Sequence, residues 1–201
     1  MKILALELSS ARGSITLLAD GKVQFGREWA NDRKNSGPFF EHLAEVLKQF
    51  GKSEAIIVGL GPGSYAGTRI AISVAIGLQV ASRARLVGFP SICAMECDIA
   101  EYCVIGDARR QTFFFARIRS NALTDGPTLM SEAELQEKLA KVEKTMAIFT
   151  TEKLPQFDRA EVRYPSARVL ARLATDSHRK FALPPLEPMY LREPHITIPK
   201  K

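Results

Sequence analysis

The stretch Ala55-Ile56-Ile57-Val58-Gly59-Leu60-Gly61-Pro62-Gly63-Ser64-Tyr65-Ala66-Gly67-Thr68-Arg69-Ile70 decides the fold. Its first five residues are an apolar run of strand length. The loop that follows holds Gly61, Gly63 and Gly67, and an apolar helix is predicted from Gly67 to Ser82. Strand, glycine loop and helix in succession mark an α/β unit. Two readings of the loop stand side by side. Gly61, Gly63, Ser64 and Gly67 can turn backbone amides toward a phosphate or other anion at the positive end of the helix. Equally, the glycines can form a tight turn that lets the helix pack on its strand. No Gly-Lys-Ser/Thr follows, and the spacing is not that of a dinucleotide fingerprint.

Working outward, Ile3 to Leu8 is an apolar run expected of a strand covered on both faces. Ile15 to Ala19 and Val23 to Trp29 flank Asp20-Gly21, a two-residue hairpin signal, and Val23, Phe25 and Trp29 are predicted to share a face. Phe39, Leu43, Val46, Leu47 and Phe50 form the apolar stripe of a helix that Ser36 or Gly37 can cap and Gly51 can end. In the helix from Gly67 to Ser82, Ile70, Ile72, Val74, Ile76 and Leu78 alternate with a ridge of Ser73, Gly77 and Ala81. Both faces need covering, either by this chain or by a second subunit approaching along the small residues.

Leu86 to Phe89 is the next strand, and Ser91 is expected to cap a helix running to about Glu101. A second unit opens near Cys103. In it, Asp107-Ala108-Arg109-Arg110 turns the chain into the strand Thr112 to Ile118, Ser131 and Glu134 form a capping box, Met146 to Thr150 is a strand, and Ser166 caps a short helix. Pro184, Pro185, Pro188, Pro194 and Pro199 disfavour helix beyond Ala182, so Met189 to Arg192 is expected to lie extended on the body. The predicted architecture is two α/β lobes with mixed sheets flanked by helices, residues 1–102 and 103–201.

The composition of these 201 residues, 46% hydrophobic and 25% charged, is that of a globular protein. The N-terminus lacks the pattern of a signal peptide, and no apolar stretch reaches the roughly 18–20 residues that span a bilayer. Three cysteines, an odd number, fit a reducing compartment, so a soluble cytoplasmic protein is expected. No metal site is expected. Pro38 and Val46 occupy the positions four away from His42, His178 and His195 stand alone, and Cys93 and Cys97 lack further ligands although they can share a helix face. The net charge of +6 favours an anionic partner, but the basic residues come in small groups such as Arg109/Arg110 that also suit solvated faces.

Three motifs carry a resemblance to a known family. Gly61-Pro62-Gly63-Ser64-Tyr65-Ala66-Gly67-Thr68-Arg69, Asp107-Ala108-Arg109-Arg110 and Pro188-Met189-Tyr190-Leu191-Arg192 occur in the order in which similar segments occur in the TsaB (YeaZ-like) family. The resemblance implies an actin/hexokinase/Hsp70-like fold and a part in making threonylcarbamoyl-adenosine in tRNA. It implies a non-catalytic partner subunit that pairs with a TsaD-like catalytic paralogue and a small TsaE-like ATPase, forms a homodimer when alone, and uses no cofactor. The pairing surface it implies lies on the two N-lobe helices, through Phe39, Leu43, Val46, Ile70, Ser73, Val74, Gly77 and Ala81. Arg109 and Arg110 are the candidates for contact with RNA or an acidic partner. The chain departs from the family where Glu7-Leu8-Ser9 stands in place of Asp-Thr-Ser, at Asn35-Ser36-Gly37-Pro38, and at Ala66.

Two other classes compete with this one. A nucleotide-dependent phosphotransferase or a peptidase could use the same fold, with Ser64 and Asp107 the polar groups to watch. Against it, Glu7-Leu8-Ser9-Ser10 lacks the glycine that cradles phosphate, and no Ser-His-Asp or Cys-His arrangement stands out. A stand-alone RNA binder would rest on charge.

Overall fold

The computed structural model describes residues 1–31 and 35–192. His195, Pro194, Pro199 and the Lys200/Lys201 pair lie outside the described residues. The first sheet has the order β3-β2-β1-β4-β5, built from β1 (Lys2–Glu7), β2 (Arg12–Ala19), β3 (Lys22–Ala30), β4 (Ala55–Gly59) and β5 (Arg85–Phe89). β1, β2 and β3 run antiparallel, while β4 and β5 extend the sheet parallel to β1. The second sheet, β10-β9-β6-β7-β8, comprises β6 (Glu101–Asp107), β7 (Thr112–Arg119), β8 (Ala122–Ser131), β9 (Ala147–Thr150) and β10 (Ala160–Val162). It too is mixed, with β6/β7/β8 antiparallel and β9/β10 parallel to β6. Two mixed sheets flanked by helices are the expected α/β architecture.

Alternation along β1 explains how the layers stack. Leu4, Leu6 and Leu8 point to a core shared with α1 (Gly37–Phe50) and α2 (Tyr65–Ser82), whereas Ile3 and Ala5 point to a second core. That second core is shared with α4 (Ala167–Leu173) and with Tyr102, Val104, Phe114 and Phe149 of the other sheet. With both faces covered, β1 is buried from Ile3 to Leu6, as its almost continuous apolar run predicts, and the burial extends to Glu7. α4 lies far along the chain but packs on β1, β2 and β4, where the Ser14 hydroxyl accepts the Ala167 amide at 2.9 Å. α3 (Glu132–Lys141), started by the Ser131/Glu134 capping box, covers the outer face of the second sheet.

Three local expectations change. The helix predicted from Ser91 is only a single 3₁₀ turn, Ser91–Cys93. The amides beyond it bond elsewhere, Glu96 to the Tyr164 carbonyl, and the Ala94 carbonyl accepts from Ser166, so the segment is knitted to its neighbours instead of to itself. Cys93 and Cys97 therefore share no helix face; all three cysteines are free, and burial pushes the Cys93 thiol up to about 12. Val23 does not share the face of Phe25, because a register shift opposite Leu17/Leu18 turns it outward. β8 is an edge strand that carries Pro127, and an edge position is where a sheet tolerates proline. The Asp20-Gly21 turn forms as predicted, with φ of 51° and 75°.

Candidate functional site

The two sheets meet at a cleft of about 520 Å³. Its walls come from the ends of strands: Ser9 and Ser10 after β1, the loop from Pro62 to Ala66 after β4, Asp107 and Arg109 after β6, and Thr151 and Glu152 after β9. Ligands of open α/β sheets bind outside such strand ends. The tail from Pro188 to Arg192 closes the fourth side. All three motifs singled out in the sequence, far apart along the chain, thus converge on one cavity.

The glycine loop is held by its own neighbours. Gly61 donates its amide to the Ser91 hydroxyl at 2.9 Å and accepts from the Ser91 amide at 2.8 Å. Ser64 donates to the Ser9 carbonyl at 2.6 Å, and the Ser64 hydroxyl caps α2 by accepting the Gly67 amide at 3.3 Å. A β-carbon on Gly63 would stand 2.1 Å from the Ser9 carbonyl oxygen, and one on Gly67 would stand 2.1 Å from that of Leu8. Of the two readings, tight packing therefore explains why Gly63 and Gly67 are glycines.

Beneath the loop lies Glu7, wholly buried. Its Oε1 accepts the Ser9 amide at 2.6 Å, while Oε2 has no partner of hydrogen-bond geometry and packs against Gly59, where a β-carbon would be 1.8 Å away. Burial raises its pKa, a rise partly offset by the Ser9 and Ser91 hydroxyls beside it.

On the opposite wall, Asp107 binds its own turn. Its carboxylate accepts from the Arg109 amide at 2.6 Å and pairs with the Arg109 guanidinium at 2.8 Å. Arg109, Arg110 and Gln111 are all left-handed, and both arginines are exposed. The tail spans the cavity: the Met189 amide donates to the Leu60 carbonyl at 2.7 Å, Tyr190 lies against Tyr65 with ring centroids 5.5 Å apart, and Arg192 donates to the Thr112 hydroxyl. Asn31, Thr151 and Glu152 also belong to the cleft and escaped the sequence reading. Asn31 donates to the carbonyls of Leu8 and Ser10, and Glu152 accepts the Asp107 amide at 3.4 Å. Placement of Thr151 and Glu152 directly after a strand was the signal that could have found them.

The candidate pairing residues divide. Phe39, Leu43 and Val46 are buried in this chain's own core, so α1 cannot offer them to a partner; its outward aromatic is Phe40. Ile70 and Val74 are partly buried against the same core. Ser73, Gly77 and Ala81 face outward, together with Ile76 at 41% and Val80 at 77% exposure. Helix α2 therefore carries a continuous, mostly apolar, small-residue stripe on its outer face.

Comparison with known proteins agrees with this architecture. The family model described as "TsaD: tRNA N6-adenosine threonylcarbamoyltransferase" matches residues 38–189. The Escherichia coli protein described as "tRNA threonylcarbamoyladenosine biosynthesis protein TsaB" is 29% identical over 99 residues, 47% of this chain; the match spans less than half of that relative's length, 42%. An uncharacterized Mycobacterium tuberculosis protein is 26% identical over 76% of this chain and 70% of its own. Among solved structures, a Pseudomonas aeruginosa protein described as similar to peptidase YEAZ superposes with a TM-score of 0.73 at 21% identity, covering 95% of this chain and 99% of that one. YeaZ from the same organism gives 0.68 at 20% identity, covering 87% and 90%. At these identities the two structures establish a shared fold.

Proposed function

This chain belongs to the TsaD family as a TsaB/YeaZ-like member, and from that premise we propose that it is a partner subunit, without chemistry of its own, in the threonylcarbamoylation of tRNA adenosine. The observation that carries this reading is the outer face of α2. Ile76 and Val80 stand exposed beside Ser73, Gly77 and Ala81, an apolar surface that small residues keep open to close approach by another helix. The glycine loop supports it from the other side, since three of its amides are engaged in packing that launches α2.

In this reading α2 pairs with the matching helix of a TsaD-like catalytic subunit, a TsaE-like ATPase joins the pair, and tRNA is the substrate of the assembly. Alone, the chain pairs with a second copy through the same stripe. The site of action is the cytoplasm, in keeping with three free cysteines. Among the described residues no helix is long and apolar enough to cross a membrane.

The test is co-elution with the cognate TsaD-like protein, followed by assay of the tRNA modification in the presence and absence of this chain. Formation of a complex that modifies tRNA only when this chain is present supports the proposal. Turnover of ATP or cleavage of peptides by the isolated chain, or failure to co-elute, overturns it.

A further inference from the structure

We infer that the mouth of the cleft around Tyr65 and Tyr190 is a contact surface for single-stranded RNA, an inference that rests on the reading above only in taking RNA as the polyanion at hand. Large aromatic rings are normally buried, yet Tyr65 is 52% and Tyr190 42% exposed, and the two lie side by side with their planes 33° apart. They come from distant parts of the chain, one from the start of α2 and one from the tail, and the tail is fixed there by the Met189 to Leu60 bond. Paired, half-exposed rings on a fixed backbone offer a platform on which an unstacked base can lie.

Cations surround this platform. The Arg69 guanidinium sits 5.1 Å from the centre of the Tyr65 ring and donates to the Tyr65 hydroxyl. Across the cleft Arg109 lines the wall, the exposed Arg110 follows it on the left-handed turn, and Arg192 lies two residues beyond Tyr190. Acidic groups nearby are Asp107, engaged with Arg109, Glu152, engaged with the Asp107 amide, and the exposed Glu187. Among the described residues Arg69 and Arg192 pair with no carboxylate and are the cationic groups that the mouth offers. Stacking rings interleaved with guanidinium groups is the arrangement that binds single strands with little sequence preference. Duplex RNA, with its bases stacked away, lacks the faces that the tyrosines take.

The experiment measures fluorescence anisotropy of a labelled uridine homopolymer, of a duplex RNA and of a tRNA transcript, over a range of salt. The wild-type chain is expected to bind the homopolymer and the transcript more tightly than the duplex. Tyr65→Leu and Tyr190→Leu, which keep apolar bulk and remove the ring, are expected to weaken homopolymer binding by about five- to a hundredfold. Arg109→Gln with Arg110→Gln is expected to lower the salt dependence, by about 0.7 in the log–log slope for each phosphate that the arginines neutralise. Equal binding of duplex and homopolymer, or tyrosine variants that bind like wild type, overturns the inference. So does a loss in those variants of co-elution with the TsaD-like protein but not of RNA binding, because the surface is then a protein contact. A chain that co-elutes with its partner and binds no RNA overturns this inference alone, whereas one that binds RNA through the tyrosines and fails to co-elute supports it and overturns the partner reading.

Discussion

Gly63 lies so close to Ser9 that a β-carbon added to it would stand 2.1 Å from the Ser9 carbonyl oxygen. Because the atom in the way is backbone, a Gly63→Ala chain must shift either the loop or the end of β1. A destabilisation of about 2 kcal/mol is expected, or a fall in Tm of roughly 4–8 °C. Gly77→Ala is the contrast. Its β-carbon meets nothing within 4 Å on the outer face of α2, so replacing a mid-helix glycine raises stability by about 0.5–1 kcal/mol. Thermal unfolding of the two variants with shifts of the same sign would contradict this account of the loop.

Glu7 makes stability depend on pH in a direction opposite to that of a salt-bridged carboxylate. Its folded pKa is raised above the ordinary 4.5, so the folded chain keeps a proton that the unfolded chain releases. Below the ordinary carboxylate range both states hold the proton; as pH rises through it and up to the folded value, the wild type loses stability. Glu7→Gln, neutral at every pH, retains an acceptor for the Ser9 amide and removes that loss. Denaturant unfolding at about pH 4, below the ordinary value, and at about pH 8 is expected to show the variant gaining on the wild type at the higher pH. Parallel curves for the two proteins would show that Glu7 does not carry the effect.

Val80, at 77% exposure, contributes little to the fold of this chain. Val80→Asp is expected to change stability by less than about 0.5 kcal/mol while abolishing association through α2. Light scattering of the chain alone and co-elution with a TsaD-like protein both report the outcome. An unaltered complex places the pairing surface elsewhere, with Phe40 of α1 the next exposed aromatic to change.

Arg192 fastens the tail to the second sheet through Thr112, as Met189 fastens it to the first through Leu60. Arg192→Ala is expected to raise hydrogen exchange of the Met189 amide by about three- to tenfold, the scale of one ordinary net hydrogen bond. Thr112→Val removes the same bond, so the double variant is expected to be no worse than either single change. Additive effects would mean that the two residues act separately.

Much of this molecule is legible in the residue order. The continuous apolar run of β1, the Asp20-Gly21 turn, the stripe of α1, the Ser131/Glu134 box and the cap at Ser166 each express a local rule, and each forms. Failures came where distant partners outbid local preference. Ser91 bonds to Gly61 thirty residues away and starts no helix of ordinary length, and the register shift at Leu17/Leu18 turns Val23 away from Phe25. The cleft was only partly visible: its three motifs could be read, but Asn31 and Glu152, each just past a predicted strand, join them only once those strand ends are known to share one cavity.

Sequence alone determined that the chain is α/β, that Gly61 to Gly67 turns a buried strand into an apolar helix, and that its motifs resemble those of a TsaB-like protein, because periodicity, turn chemistry and spacing are local properties. Tertiary structure decided what those residues face. It turned Phe39, Leu43 and Val46 inward and Ile76 and Val80 outward, engaged the loop amides with Ser9 and Ser91, and brought Tyr65 beside Tyr190 across 125 positions of chain. Which face of an apolar helix is covered, and which loops share a cavity, depends on packing between segments remote in the chain, and no local pattern encodes it.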